Sequence, residues 1–179
     1  MNRKVLLKNT LLMIALLALG FVSVDSQTTY AATNRVYPTA CKKTKAGFIK
    51  PSIISRWHEE CRLPVVHMGT DIGIPKKTPL YAVCTGKVVS QKYGNNGGYQ
   101  MTISCDDDQT SAFYAHMFER TSLKQGDKVL AGQKIGISGD TGTAKGIPHL
   151  HFGRMKKDTN GDLQYFNPEP ELKEWKCKG

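Results

Sequence analysis

The sequence predicts an all-β fold, a small antiparallel β-sandwich or barrel-like sandwich carrying a short N-terminal helix. Three observations support it. From Pro64 onward the apolar pattern changes to a period of two, in runs rich in β-branched and aromatic residues. Glycine-rich and Asn/Asp clusters punctuate those runs. The 179 residues include 17 Gly and 8 Pro, which supply many turns and suit strands better than a helix bundle.

The elements follow in order. Residues 32–50 are polar and aperiodic and read as an arm. Residues 51–61 (PSIISRWHEEC) read as the short helix, with Pro51 ahead of it, Ser52 able to cap it, and Ile53, Ile54 and Trp57 at helical spacing. Residues 80–89 (LYAVCTGKVV), 99–105 (YQMTISC) and 111–117 (SAFYAHM) read as an antiparallel meander, interrupted by the clusters at 94–98 and 106–108. Glycines at 126, 132, 136 and 139 cut the next stretch into very short strands. Residues 149–154 (HLHFGR) are the last clear strand, and 170–176 can form a final helical turn. The organisation expected is a leader at 1–31, an arm and helix at 32–61, one β-rich domain at 62–170 and a tail at 171–179.

The leader is read from Arg3, Lys4 and Lys8, the uncharged apolar run at 11–24, and the small residues around Ala31. The run is shorter than the roughly 20 residues of a membrane span. It therefore reads as a signal peptide cleaved after Ala31, with membrane contact only before cleavage. The chain carries 25 Lys+Arg against 15 Asp+Glu, a formal charge of +10. Removing Arg3, Lys4, Lys8 and Asp25 with the leader leaves +8. On an exported protein this charge favours an anionic surface such as a cell wall or lipid head groups. Nucleic acid is not expected, because no basic helix or stacking-aromatic motif accompanies the charge. Export to the periplasm or the extracellular space makes disulfides the default for the five cysteines. Cys84 and Cys105 lie in neighbouring strand-like segments and are paired; Cys41 with Cys61 is the second expected pair, which leaves Cys177 over. Without a CxxC, a zinc–cysteine site is disfavoured.

Chemistry concentrates in the histidines at 67, 116, 149 and 151 and in Asp71. His149 and His151 leave the same face of a strand, roughly 6.6 Å apart along the chain. Four residues separate His67 from Asp71, about 13 Å on a straight strand, too far for one metal with bonds near 2 Å. The chain must bend between them, and Gly69 permits a bend. Two histidines and one carboxylate are a common catalytic zinc set with an open position for water, whose pKa falls to near 7. The remaining histidines can move protons or bond a developing oxyanion. Spacing alone leaves open which of His149 and His151 is the ligand.

The segments His67-Met68-Gly69-Thr70-Asp71, Tyr114-Ala115-His116-Met117 and His149-Leu150-His151-Phe152 resemble, in order and spacing, the three signatures of the lysostaphin-like (LytM-type) zinc endopeptidases, which cut peptide cross-links of bacterial peptidoglycan. The resemblance runs from about Val66 to Pro168. It implies a small antiparallel β-sandwich with a groove over its sheet. It implies that one zinc ion is held by His67, Asp71 and His151, that His149 is the general base, and that His116 orients water or stabilises the tetrahedral intermediate. Met117 stands where Leu is usual, and Gly153 where a larger, often polar residue is usual. A non-catalytic wall-binding or partner-activating module of the same fold is the alternative, including one serving a secretion or conjugation apparatus; such modules lose zinc ligands, and this chain keeps all five polar positions.

Other features have plainer readings. His58 belongs to a solvated face, and Tyr114, Trp57 and Trp175 pack. The acidic run at 106–108 is a hairpin turn that lacks the spaced ligands of a calcium loop. Residues 94–98 form a rim loop of the groove. The arm at 32–50 could cover the groove, with Asn34 or a nearby polar group at the open metal position.

Overall fold

The computed structural model describes residues 34–57 and 67–178. The expected leader, His58 and Cys61 lie outside them. Among the described residues twelve strands are present: β1 (Lys42–Thr44), β2 (Gly47–Ile49), β3 (Ile53–Ser55), β4 (Thr70–Gly73), β5 (Pro79–Tyr81), β6 (Gly86–Gly94), β7 (Gly98–Cys105), β8 (Thr110–Met117), β9 (Lys128–Val129), β10 (Lys134–Ile137), β11 (His149–Lys157) and β12 (Leu163–Phe166). A short α-helix, α1 (Glu169–Glu174), follows them. The principal sheet runs β3-β4-β11-β8-β7-β6-β9, antiparallel throughout, and β12 pairs with β11. The expected meander is present as β6-β7-β8, but its first run, residues 80–89, is split: Leu80 and Tyr81 belong to β5, which pairs with β10, and β6 begins at Gly86. A two-stranded ribbon of β5 and β10 packs its Leu80 and Ile135 into the core of this sheet, and β1 with β2 forms a separate hairpin.

Strand alternation divides the sheet into two faces. Ile72, Met101, Ile103, Ala112, Tyr114, Leu150 and Phe152 are buried in one core, closed at one end by Leu172 and Trp175 from the C-terminal segment. Each such aliphatic or aromatic side chain contributes about 1.5–3 kcal/mol when fully buried. Tyr114 reaches across the core, its hydroxyl accepting from the Val83 N–H at 3.0 Å and donating to the Tyr81 carbonyl at 3.1 Å. The opposite face carries Asp71, Phe113, Ala115, His149 and His151 into a groove.

Two corrections concern the N-terminal segment. Residues 53–55 form a strand, not the start of a helix: β3 pairs along β4, and the Gly73 N–H donates to the Ser52 carbonyl at 3.0 Å. Two adjacent isoleucines and one Trp fit either period, and an open sheet edge decides for the strand. The arm is also anchored. Its Val36 and Tyr37 N–H groups donate to the carbonyls of Val83 and Lys176. That alignment brings Cys41 to Cys177, Cα atoms 6.0 Å apart and sulfurs bonded, so Cys41 does not pair with Cys61. Cys84 is bonded to Cys105, Cα atoms 5.6 Å apart.

The acidic turn ahead of β8 joins a buried charge network. Arg35 pairs with Asp107 and Asp108, and its guanidinium donates to the Cys105 sulfur at 2.9 Å. Arg154 is fully buried, bonds Glu171 at 2.8 Å and Asp108 at 3.4 Å, and lies over Phe166 and Trp175. Cys105, Asp107 and Asp108 cluster as a metal site might, but the sulfur is in a disulfide and both carboxylates are matched by guanidinium. Among the described residues no helix is long and apolar enough to cross a membrane.

Candidate active site

Antiparallel register brings the chemistry together. His151 on β11 lies opposite Asp71 on β4 and Ala115 on β8. Just ahead of β4 the chain bends, and His67 folds back over Asp71. His67 Nε2 lies 3.1 Å from Asp71 Oδ1 and 3.1 Å from His151 Nδ1, and His151 Nδ1 lies 2.9 Å from Asp71 Oδ1. Three donor atoms thus form a nearly equilateral triangle. Tetrahedral zinc with bonds near 2.0–2.1 Å requires ligand separations of about 3.3–3.4 Å, so an opening of a few tenths of an ångström accommodates the ion. Two imidazole nitrogens and one carboxylate oxygen also suit zinc chemically.

The bend is real, but Gly69 serves it differently from the expectation. A Cβ at Gly69 would lie 2.5 Å from His151 Nε2 and 2.9 Å from the Phe152 carbonyl oxygen. Gly69 has no left-handed φ, so glycine is required there for space. The H-x-G-x-D spacing therefore gives the His151 ring its seat.

Hydrogen bonds to backbone carbonyls fix the tautomers. His67 Nδ1 donates to the Arg56 carbonyl at 2.8 Å, which leaves Nε2 with its lone pair toward the cluster. His149 Nδ1 donates to the Ile147 carbonyl at 2.7 Å, and its Nε2 lies 3.7 Å from Asp71 Oδ1. His116 Nδ1 donates to the Thr141 carbonyl at 2.8 Å. His116 and His149 face each other, ring centroids 4.6 Å apart, and both are buried. Their lone-pair nitrogens are available to accept protons beside the triangle.

His116 reaches the groove through a break in alternation. It follows the groove-facing Ala115, so regular pleating would aim it at the core. A register shift between β7 and β8 and a φ of +58° at His116 turn it outward. The His116 N–H donates to the Gly97 carbonyl, and the Gly139 N–H donates to the His116 carbonyl, which holds the distortion.

Electrostatics follow from this packing. Without metal, burial would raise the Asp71 pKa, but hydrogen bonds from His151 and His67 in their protonated forms outweigh it and hold the carboxyl well below the usual carboxylate range. The same Asp71 bond raises the His67 pKa against its burial. Desolvation by burial lowers the His116 pKa, partly offset by its bond to Thr141.

The groove around this cluster has a cavity volume of about 540 Å³. Asn96 and Gly97, from the expected rim loop, line one side with Gln100 and Thr143. Phe113 and Tyr165 line another, their rings edge-on at 6.4 Å. Tyr165 escaped the sequence reading because β12 did. Its signal was Asn160-Gly161, a hairpin dipeptide between two strand-like runs. Gly153 accommodates Tyr165: a Cβ there would meet Tyr165 Cε1 at 3.1 Å and the Met68 carbonyl oxygen at 3.2 Å. The expectation that the arm might place Asn34 at the metal position is also corrected. Asn34 lines a different cavity, with Gln133 and Lys178.

Comparisons with known proteins bear on the family and the fold. Lysostaphin of Staphylococcus simulans is 38% identical over 110 residues, 60% of this chain and 22% of that protein. The L-Ala–D-Glu endopeptidase of Bacillus subtilis is 34% identical over 118 residues, 62% of this chain and 35% of that protein. A zinc-containing peptidase structure from Vibrio cholerae superposes with a TM-score of 0.58 at 28% identity, over 74% of this chain and 39% of that one. The chain therefore spans about a fifth to a third of the length of these two curated relatives. Residues 65–164, more than half of the chain, match the model of Peptidase family M23, and the chain belongs to that family.

Proposed function

We propose that the protein is a zinc-dependent endopeptidase that hydrolyses peptide cross-links of bacterial peptidoglycan outside the cytoplasm. The observation that carries this reading is the triangle of His67 Nε2, Asp71 Oδ1 and His151 Nδ1, flanked by two tautomer-fixed imidazoles. Relatives from Vibrio cholerae named peptidoglycan DD-endopeptidases support the substrate class.

In this reading His67, Asp71 and His151 hold one zinc ion. Bound zinc lowers the pKa of water and polarises a carbonyl. His149 Nε2, its lone pair set by the Ile147 carbonyl, accepts a proton from the attacking water. The same nitrogen returns that proton to the amine as the C–N bond breaks, and the acyl part leaves as a carboxylic acid that releases its remaining proton to solvent or to the freed amine. His116 is a neutral acceptor with its lone pair on Nε2, which suits it to orient the water. The groove lined by Asn96, Gln100, Phe113 and Tyr165 receives the peptide on either side of the cluster.

The test is digestion of purified peptidoglycan, zinc-loaded and chelated, with the fragments identified by mass. Zinc-dependent release of muropeptides with new termini supports the reading and names the bond. Absence of release with zinc still bound stoichiometrically overturns catalysis in favour of a binding or partner-activating module.

A further inference from the structure

Two segments outside the family match, residues 52–57 and the helix α1, meet behind the metal cluster. β3 forms the edge of the sheet beside β4, with Ser55 opposite Asp71. The residue after β3, Arg56, presents its carbonyl to His67 Nδ1 at 2.8 Å. That carbonyl selects the tautomer in which Nε2 faces Asp71 and His151. A backbone carbonyl at the end of an edge strand is only as fixed as its neighbours make it.

Glu169 at the start of α1 supplies the fixing. Its carboxylate is buried, with 8% of the residue exposed, and both oxygens are used. Oε2 accepts from the Arg56 guanidinium, and Oε1 accepts from the Trp57 backbone N–H at 3.1 Å. Oε1 therefore holds the peptide unit between residues 56 and 57 through its N–H, Oε2 holds the Arg56 side chain, and the carbonyl of that same unit orients His67. Glu169 is itself set by its own N–H, which donates to Asn167 Oδ1 at 2.9 Å. A buried carboxylate with both oxygens engaged is costly to install for packing alone.

We propose that Glu169 is a positioning residue for the metal centre, acting through Arg56 and Trp57 to hold His67 in its ligating tautomer and orientation. This rests on the reading of His67, Asp71 and His151 as zinc ligands. It makes the C-terminal segment part of the catalytic apparatus, with the Cys41–Cys177 bond tying the arm that leads into β3 to the tail that follows α1.

The experiment compares zinc affinity, by competition with a chromophoric chelator, for the wild type, Glu169→Ala, Glu169→Gln, Arg56→Ala and Val129→Ala. The nitrogen chemical shifts of His67 in the metal-free protein report its tautomer. Loss of an outer partner of a metal-bound histidine typically weakens binding 10–100-fold. The expected result is a loss of about tenfold in Glu169→Ala, with the His67 tautomer becoming mixed. Glu169→Gln, which keeps an acceptor for the Trp57 N–H, is expected to recover part of the loss. Val129→Ala opens a cavity on β9, at the opposite edge of the sheet, and is expected to lower stability while zinc affinity stays within about twofold. Folded Glu169→Ala with wild-type zinc affinity and an unchanged His67 tautomer overturns the proposal. If Glu169→Ala does not fold, Arg56→Ala decides, since its largely exposed side chain leaves no core cavity and its backbone carbonyl is kept; unchanged affinity in folded Arg56→Ala overturns the proposal equally. A wild type that binds no zinc overturns the metal-site reading instead, which separates the two failures.

Discussion

Substituting Gly69 by Ala adds one methyl group, and the structure dictates where it goes. The new Cβ falls 2.5 Å from His151 Nε2 and 2.6 Å from Cε1, where ordinary contact begins at 3.4 Å. The ring must withdraw by about 0.9 Å, because the Phe152 carbonyl oxygen at 2.9 Å blocks relief on the other side. His151 Nδ1 stands only 2.9–3.1 Å from its two partners, so a shift of that size breaks the triangle. Overpacking of this kind costs about 1–3 kcal/mol in stability. Misplacement of a reacting group by about 1 Å costs roughly 100-fold in rate. Gly69→Ala is therefore expected to stay folded, with a modest fall in Tm, while zinc affinity by chelator competition falls at least about tenfold. Wild-type zinc affinity in a folded Gly69→Ala protein would show that the ring has another seat, and the account of the H-x-G-x-D spacing would be wrong.

Three further outcomes follow from separate parts of the molecule. His149→Ala should keep stoichiometric zinc by metal analysis yet lose about 100-fold or more in turnover; an emptied site would instead make His149 a ligand. Burial would raise the Asp108 pKa, but Thr110 and the guanidiniums of Arg35 and Arg154 lower it below the usual carboxylate value of 3.8. A depressed folded pKa means that the stabilisation is complete above about pH 4 and is lost as pH falls from there through the lower folded value. Asp108→Asn should accordingly flatten the acid limb of a Tm-versus-pH curve; an unchanged slope would contradict the pairing. Replacing Cys41 and Cys177 together by Ser opens a link between residues 136 apart in sequence, and should lower unfolding free energy by about 2–5 kcal/mol in denaturant titrations. A midpoint equal to that of the oxidised wild type would show that the bond adds nothing.

The site was legible in the sequence wherever chemistry and spacing reinforce each other. His67, Asp71 and the His149/His151 pair sit in motifs whose spacing has a geometric reading, and strand register brings them to one face. The strands at the centre of the sheet were legible because Met101 and Ile103 of β7 alternate with more polar neighbours and β8 is a short aromatic and apolar run bounded by a turn cluster. The periphery was not. Ile53 and Ile54 become a strand only because β4 offers them an edge, a contact that no local pattern encodes. β12 was announced by Asn160-Gly161 and passed over because its own residues alternate weakly. Cys41 pairs with the distant Cys177 because the arm runs beside the tail, so proximity in sequence misdirected the expectation toward Cys61. The outward turn of His116 needs a bulge and a left-handed backbone, which a residue string does not show. The carbonyls that fix the three tautomers belong to Arg56, Thr141 and Ile147, and backbone atoms leave no trace in side-chain identity.

The most direct test of the central claim is a metal titration of activity. Protein stripped of metal by chelation is returned to zinc in measured steps, and muropeptide release from peptidoglycan is followed at each step. The account predicts no release from the stripped protein, a linear rise with added zinc and a plateau at one zinc per chain, with Asp71→Ala inactive throughout. Release that persists in the stripped protein, or that is unchanged in Asp71→Ala, would contradict a catalytic zinc held by His67, Asp71 and His151.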